Sequence, residues 1–183
     1  MIEIQVNPDQ MRRAIERSSL MPNDPSIPAP MFGADRQRIL AGYLGEEIVA
    51  DYLGVEVADE YDYDLVVAGQ RIDVKTIGAR RKPTRTYSAT VNSWKDGGKH
   101  RQAADFYIFA QIHMVLGKCW IMGHIACEEF FRKATLVEKG KELCPGVPRA
   151  IASCHILPVY ELIEARDGWG RTPGFPMQNS LAG

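Results

Sequence analysis

The chain has 183 residues, of which 45% are hydrophobic and 25% are charged, so it has room for one domain with a substantial core. A net charge of −1 excludes a globally basic nucleic-acid binder. No basic region followed by an apolar run opens the chain, and polar residues interrupt its most apolar stretch, 104–126. We therefore expect a cytoplasmic protein with no secretory signal and no membrane span.

The first 32 residues predict a strand, a helix and a linker. MIEIQV alternates like a short strand, and Asn7-Pro8 has the pattern of an N-cap followed by proline at the first helical position. The helix should continue to about Ser19. Four prolines within residues 20–31 indicate an irregular linker. We interpret residues 1–32 as an N-terminal extension of the domain.

A longer helix is predicted from about Ala34 to Leu53, ended by Gly54. With about 100° between successive residues, its predicted solvent face carries three charged residues, Arg36, Glu47 and Asp51. Glu46 instead projects from an apolar side of the helix. A carboxylate there needs a partner or a metal, unless it lies at the helix edge and reaches solvent.

The remainder of the chain predicts strands more often than helices. The expected elements are a hairpin with strands 61–67 and 71–77, strands at 87–91, 104–114 and 119–125, a helix at 127–139, and a strand at 155–162. Pro158 assigns the last strand to a sheet edge, and the Gly- and Pro-rich segment 166–183 is expected to be a loose tail. The fold class is α/β (α+β), built around one sheet.

The hairpin YDYDLVVAGQRIDVKTIG, residues 61–78, contains charges where a sheet prefers apolar residues. Because side chains alternate along a strand, Asp73 and Lys75 share one face. If Ala68-Gly69 forms a two-residue turn, Leu65 pairs with Ile72, which brings Asp64 opposite Asp73 and Asp62 opposite Lys75. A slip by one residue would remove this arrangement.

Two carboxylates on directly opposed residues, with Cβ atoms about 5 Å apart, repel each other unless a cation lies between them. The hairpin therefore indicates a metal site, and Mg²⁺ suits it because this ion prefers oxygen ligands and takes one or two carboxylates. The alternative is structural, with Asp62 and Lys75 as a cross-strand ion pair and the other acids solvated.

Basic residues concentrate after the hairpin. Between residues 75 and 101 the chain has eight basic residues and one acidic residue, so this segment carries +7 and the remainder −8. The asymmetry indicates a surface for an anion, although a solvated charged loop has the same composition.

These residues, in this order, resemble the PD-(D/E)xK nuclease superfamily. The matches are Asp64 in YDYDL, Asp73-Val74-Lys75 as the D-x-K element, and Glu46 in GYLGEEIVADYL as the glutamate of the family's first core helix. ADFYIFAQI and CWIMGHIACEEFF resemble the later core strands and helix, so the likeness covers roughly residues 33–162. Two departures are Tyr63, where proline is usual, and the lack of a helical period over 79–101.

The resemblance implies a restriction-endonuclease-like fold, a central mixed β-sheet flanked by helices, with the nuclease core at residues 33–165. It implies a Mg²⁺-dependent DNA endonuclease, with Mn²⁺ as a substitute, that leaves 5′-phosphate and 3′-hydroxyl ends. The implied catalytic residues are Glu46, Asp64, Asp73 and Lys75. The implied metal ligands are Glu46, Asp64, Asp73 and the carbonyl of Val74, while Lys75 would orient or activate the attacking water.

DNA is the implied partner, and the basic segment would contact its phosphates without reading bases. The candidate contacts are Arg80, Arg81, Lys82, Arg85, Lys95, Lys99 and Arg101. Cutting both strands with one active site per chain often needs two copies, so a homodimer is compatible with this function. Two alternatives stay open: a catalytically inactive nucleic-acid-binding or assembly module with the same fold, and an unrelated protein.

Overall fold

The computed structural model describes residues 1–20, 32–58, 60, 62–92, 103–141 and 153–165. Within these ranges the chain forms three α-helices, nine β-strands and one short 3₁₀-helix. In chain order they are β1 (Ile2–Gln5), α1 (Pro8–Leu20), α2 (Phe32–Leu53), β2 (Leu65–Val67), β3 (Gln70–Gly78), β4 (Ser88–Asn92), β5 (Phe106–His113), β6 (Lys118–Ala126), α3 (Cys127–Lys133), β7 (Thr135–Val137), β8 (Cys154–Pro158), the 3₁₀-helix (Val159–Glu161) and β9 (Ile163–Glu164). The linker residues 21–31 and the tail 166–183 lie outside the described residues.

The strands form two sheets. The main sheet has the order β1-β6-β5-β3-β2, with β9 also paired to β6. Only β3 and β5 run parallel among its neighbouring strands, so the sheet is mixed. A second, three-stranded sheet has the order β4-β8-β7. The predicted mixture of helices and strands is confirmed as a mixed α+β fold.

The N-terminal strand and helix form as predicted, and both pack against the rest of the domain. Asn7 and Gln10 cap α1 reciprocally: the Gln10 amide donates to Asn7 Oδ1 at 2.9 Å, and the Asn7 amide donates to Gln10 Oε1 at 3.0 Å. β1 pairs with β6 at one edge of the main sheet, and α1 packs on α2. Ile2 and Ala14 are buried in the same core as α2.

The long helix ends as predicted but is buried differently. Gly54 has a φ of +71°, and the Val55 amide donates to the Ala50 carbonyl at 3.1 Å, as in helix ends that need a left-handed residue. The predicted solvent face is wrong for Glu47, which is 5% exposed. α1 covers α2 at Glu47, whereas Arg36 and Asp51 are exposed as predicted.

Apolar residues cover both faces of the main sheet. Ile72, Val74 and Ile108 pack on one face with Leu44 and Ile48 of α2. Tyr107 and Phe109 pack on the other face with α3 and the second sheet. Alternation along β3 therefore sends Val74 and Thr76 towards α2, and Asp73 and Lys75 to the opposite face.

The hairpin has the predicted register over its paired length. Val67 pairs with Gln70 and Leu65 with Ile72, and the turn residues Ala68 and Gly69 have φ values of +50° and +82°, which is typical of a type I′ turn. The first strand is shorter than predicted, since its register stops at Leu65. Neither expected opposition, Asp64 with Asp73 or Asp62 with Lys75, is therefore part of the ladder.

Two later predictions are wrong in detail. The helix predicted over 127–139 ends at Lys133, because Ala134 is extended (φ −70°, ψ 147°) and the β-branched Thr135 and Val137 belong to β7. β8, predicted at an edge, is the central strand of the second sheet. Its pairing with β7 ends at Ile156, so Pro158 lies beyond that ladder and its missing N–H costs nothing there.

The parallel neighbours β3 and β5 require a crossover connection. Within its described residues, 79–92 and 103–105, this connection contains β4 and no helix. The sequence of 79–101 lacks a helical period, and its described part accordingly contains a strand of the second sheet, β4. None of the helices in the described ranges combines the length and apolar sequence needed to cross a membrane.

Substitutions of two glycines in α2 would test how closely this helix packs on the sheet. A Cβ on Gly45 would lie 1.9 Å from Oγ1 and 2.7 Å from Cβ of Thr76, whereas a Cβ on Gly42 would meet nothing within 4 Å. We expect Gly45→Ala to lower the free energy of unfolding by about 2 kcal/mol or more, because backbone must move. Gly42→Ala is the matched control and should raise it by about 0.5–1 kcal/mol. Chemical denaturation measures both, and equal effects of the two substitutions would contradict this packing.

Candidate active site

Asp64 lies where β2 ends beside β3. Its amide donates to the Ile72 carbonyl at 2.8 Å, and its Oδ2 accepts the Val74 amide at 2.6 Å. Since the β2 register stops at Leu65, the carboxylate takes the place that a backbone carbonyl would have in a longer ladder. The Asp64 side chain is therefore held at the edge of the sheet, between its two faces.

Asp73 and Lys75 approach from the face opposite α2. Asp73 is 3% exposed, and Lys75 Nζ lies 2.5 Å from its Oδ2. Among the described residues Oδ2 accepts no hydrogen bond with well-aligned geometry, but the Lys75 ammonium contacts it, and hydrogen bonding from Lys75 and Asp64 opposes the effect of burial on the pKa of Asp73. The Lys75 side chain is 25% exposed, and its Nζ lies 5.7 Å from the centre of the Tyr107 ring.

Glu46 approaches from the α2 side, where an arginine of α1 holds it. Arg17 Nη2 donates to Glu46 Oε2 at 2.7 Å, and both side chains are largely buried, at 16% and 13% exposed. The carboxylate nevertheless acts electrostatically on Asp64. The requirement for a partner, inferred from the helical wheel, is thus met by Arg17.

The carboxyl groups of the site hold protons unusually tightly. Burial, followed by the charges of Glu46 and Asp73, raises the pKa of Asp64 from 3.8 to about 8, against the opposing effects of the Val74 amide and Lys75. Burial also raises the pKa of Asp73, although the charge of Lys75 opposes this shift. Two carboxyl groups that repel each other in a poorly solvated place retain a proton at neutral pH.

The structural alternative for the hairpin is wrong in two respects. Lys75 forms an ion pair with Asp73, and Asp73 is buried rather than solvated. Ionised carboxylates of this kind are costly to bury unless a cation or a hydrogen-bond network compensates them.

The sequence alone did not reveal three neighbours of the site: Arg17, Tyr107 and Cys127. Tyr107 pairs with Asp73 in the parallel register of β3 and β5, which sequence alternation cannot indicate. Burial and then the charge of Asp73 raise the pKa of Cys127 to about 12, so its thiol stays protonated and is a poor nucleophile. The contact of Arg17 with α2 could have been predicted, because Arg13 and Arg17 have the same four-residue spacing as the oppositely charged Glu47 and Asp51.

The side chains suit a site that binds a hard cation through two carboxylates better than a site that binds it through three. Among the described residues, no three His, Cys, Asp or Glu side chains are grouped closely enough to hold a metal ion. The buried Asp73 Oδ2 accepts no well-aligned hydrogen bond in the described part of the chain, where the Lys75 ammonium is its cationic neighbour. Mg²⁺ usually takes one or two carboxylates and keeps several waters. Asp64 and Asp73 form such a set, with Glu46 outside it.

The basic segment is only partly described. Arg80 and Arg81 are exposed beyond the end of β3. Lys82 Nζ lies 3.2 Å from Glu3, and Arg85 lies 3.7 Å from Glu164. Lys95, Lys99 and Arg101 lie outside the described residues. Exposed ion pairs are weak, at about 0–1 kcal/mol, so Lys82 and Arg85 can exchange these carboxylates for another anion.

Comparisons with models of protein families, with curated protein sequences and with solved structures find no significant match for this chain. The interpretation of the site therefore depends on its geometry and chemistry.

The raised pKa of Asp64 predicts how stability depends on pH. Between 3.8 and about 8 the native protein binds more protons than the unfolded chain. The free energy of unfolding of the metal-free protein should therefore fall as pH rises through this window, by at most about 1.4 kcal/mol per pH unit for this group. Asp64→Asn should flatten the decline by about 1–3 kcal/mol over the window.

Urea denaturation at a series of pH values measures this effect. Glu16→Gln is the control, because Glu16 lies on the exposed surface of α1, and it should leave the decline unchanged. An Asp64→Asn protein with the same pH dependence as the unsubstituted protein would show that Asp64 titrates normally.

Proposed function

We propose that this chain is a Mg²⁺-dependent DNA endonuclease with a restriction-endonuclease-like core, which leaves 5′-phosphate and 3′-hydroxyl ends. The observation that carries the proposal is that Asp64, just before β2, and Asp73 of β3 lie together in one poorly solvated place, with the Lys75 ammonium 2.5 Å from Asp73. A buried pair of carboxylates beside one lysine suits metal-assisted hydrolysis of a phosphodiester.

The metal would be held by Asp64 and Asp73 together with the Val74 carbonyl. The amide and carbonyl of one strand residue point to the same side of the strand, and the Val74 amide points to the Asp64 carboxylate. The carbonyl therefore points to the same edge. A bound Mg²⁺ would lower the pKa of a coordinated water and offset charge that develops on the phosphate.

Lys75 supplies the positive charge of the site. Asp73 fixes the ammonium at one end, and the partial exposure of the side chain leaves it accessible to a water or a phosphate oxygen. An ammonium held in this way can orient the attacking water by a hydrogen bond and stabilise negative charge in the transition state. Asp64 would release its proton when the cation arrives, so binding should strengthen as pH rises.

Exposed arginines and lysines after β3 would contact the DNA backbone. Arg80 and Arg81 are exposed, and within the described ranges Lys82 and Arg85 have exposed carboxylates as their ion-pair partners. Lys95, Lys99 and Arg101 complete the proposed phosphate-binding segment. Such contacts fix the position of a duplex and leave sequence preference to other groups.

One observation favours the second candidate, an inactive nucleic-acid-binding module. Two ion pairs of the site are already formed within the protein, Lys75 with Asp73 and Arg17 with Glu46, and the raised pKa of Asp64 keeps that carboxyl protonated at neutral pH. Ion pairs of this kind can compensate the buried charges of a site without a metal ion. Cleavage assays separate the two functions.

We expect the purified protein to nick supercoiled plasmid with Mg²⁺ or Mn²⁺ and to be inactive with EDTA. Lys75→Met should lower the cleavage rate about 100-fold or more, while DNA affinity changes little, because the lysine acts in the transition state. Lys133→Met is the matched control, since Lys133 pairs with Glu129 and Glu161 on α3 and the 3₁₀-helix, and it should keep full activity.

Plasmid nicking and a gel-shift assay with the same DNA measure rate and affinity separately. Binding without cleavage in either metal would favour the inactive module. Cleavage that is equally fast in Lys75→Met would remove Lys75 from the mechanism. Linear, single-stranded and branched substrates, compared in parallel, identify the preferred DNA.

The proposed phosphate contacts predict a characteristic salt dependence of DNA binding. Arg80→Ala and Arg81→Ala should each reduce the slope of log affinity against log salt by about 0.9, since one fewer counterion is released. Arg12→Ala is the control, because Arg12 is paired within α1 to Asp9 and Glu16. Slopes that are identical in all three variants would exclude these two arginines from the DNA surface.

A further inference from the structure

Arg17 is the contact between the N-terminal helix and the carboxylates of the site. Its guanidinium donates to Glu46 at 2.7 Å and to Glu47 at 3.2 Å, and it lies 4.5 Å from the centre of the Tyr43 ring. These three contacts come from α2, and the arginine side chain is only 16% exposed. A largely buried arginine with a fixed set of partners holds its geometry much better than a surface ion pair does.

This ion pair and a metal ion would compete for the same oxygens. Glu46 follows Gly45, whose added Cβ would lie 1.9 Å from Thr76 Oγ1, so Glu46 lies on the turn of α2 that packs against β3. Among the described residues, however, no three acidic, histidine or cysteine side chains are grouped to hold a metal. The Glu46 carboxylate is directed to Arg17 instead. A cation gains affinity with each carboxylate that joins it, so the partner of Glu46 sets how tightly the site can bind.

We infer that Arg17 is a positioning residue that withholds Glu46 from the metal, so that Asp64 and Asp73 are the two carboxylates, beside the Val74 carbonyl, through which the resting site binds its cation. The N-terminal helix is then part of the active site rather than an appendage to it. This inference depends on the proposed metal-dependent function, because it concerns the same site. It assigns a role to α1 that the resemblance to nucleases does not imply.

Arg13 provides a matched comparison on the same helix. It also connects α1 to α2, through Glu47 and through Asp51 at 2.8 Å. Arg13→Met removes one positive charge and one helix–helix contact, as Arg17→Met does, but its ion pairs are with Glu47 and Asp51 rather than with Glu46. A difference between the two variants therefore reports on Glu46.

The test is calorimetric titration of the full chain with Mn²⁺ alone, without DNA. We expect Arg17→Met to bind Mn²⁺ about three- to tenfold more tightly, because the freed Glu46 joins the ion. Arg13→Met should bind like the unsubstituted protein. Glu46→Gln should change affinity by no more than about twofold, whereas Asp73→Asn should weaken it at least about tenfold. The double variant Arg17→Met/Glu46→Gln should lose the gain.

Several results would overturn the inference. They are unchanged affinity in a folded Arg17→Met protein, a gain that persists in the double variant, or a loss in Glu46→Gln as large as that in Asp73→Asn. If Arg17→Met fails to fold by thermal unfolding, the comparison of Glu46→Gln with Asp73→Asn decides alone. Unsubstituted protein that binds no Mn²⁺ would reject the proposed function together with this inference, whereas binding without dependence on Arg17 would reject only the inference.

Discussion

The site depends on the hydrogen bond from the Val74 amide to the Asp64 carboxylate, at 2.6 Å. β2 contains only three residues, so β3 is paired with β5 on one side but has no described strand partner on the β2 side where Asp73 and Lys75 project from it. Asp64 satisfies this exposed edge with its side chain. The same contact draws a second acid beside Asp73, in a place where water is scarce and both carboxyl pKa values rise. The Asp64 side chain thus has two roles: it accepts the Val74 amide at the edge of the sheet, and it supplies the second carboxyl group of the candidate metal site.

Local patterns predicted much of the fold. The Asn7-Pro8 start of α1, the end of α2 at Gly54 and the register of the Ala68-Gly69 turn all follow from backbone chemistry that neighbouring residues determine. Predictions failed where distant residues decide. Thr135 and Val137 form a strand because β8 pairs with them, and Pro158 fits a central strand because β7 is short.

The same distinction applies to the site. Alternation along β3 brought Asp73 and Lys75 to one face, and the hairpin brought Asp64 near them. The burial of Glu47 and the pairing of Glu46 with Arg17 needed the docking of α1, which single-helix periodicity does not contain. Tyr107 and Cys127 needed the parallel register of β3 and β5 and the position of α3. For the docking of α1 on α2, the sequence offered one indication: the basic residues of α1 and the acidic residues of α2 have the same four-residue spacing.

The most direct measurement is the titration of the Asp64 carboxyl carbon by ¹³C NMR, with Asp64→Asn used to assign the signal. Without metal, its midpoint should lie far above 3.8, near about 8, and saturating Mg²⁺ should move it to lower pH because the cation stabilises the ionised form. A midpoint close to 3.8 that does not respond to Mg²⁺ would mean that Asp64 and Asp73 do not form a buried, cation-binding pair.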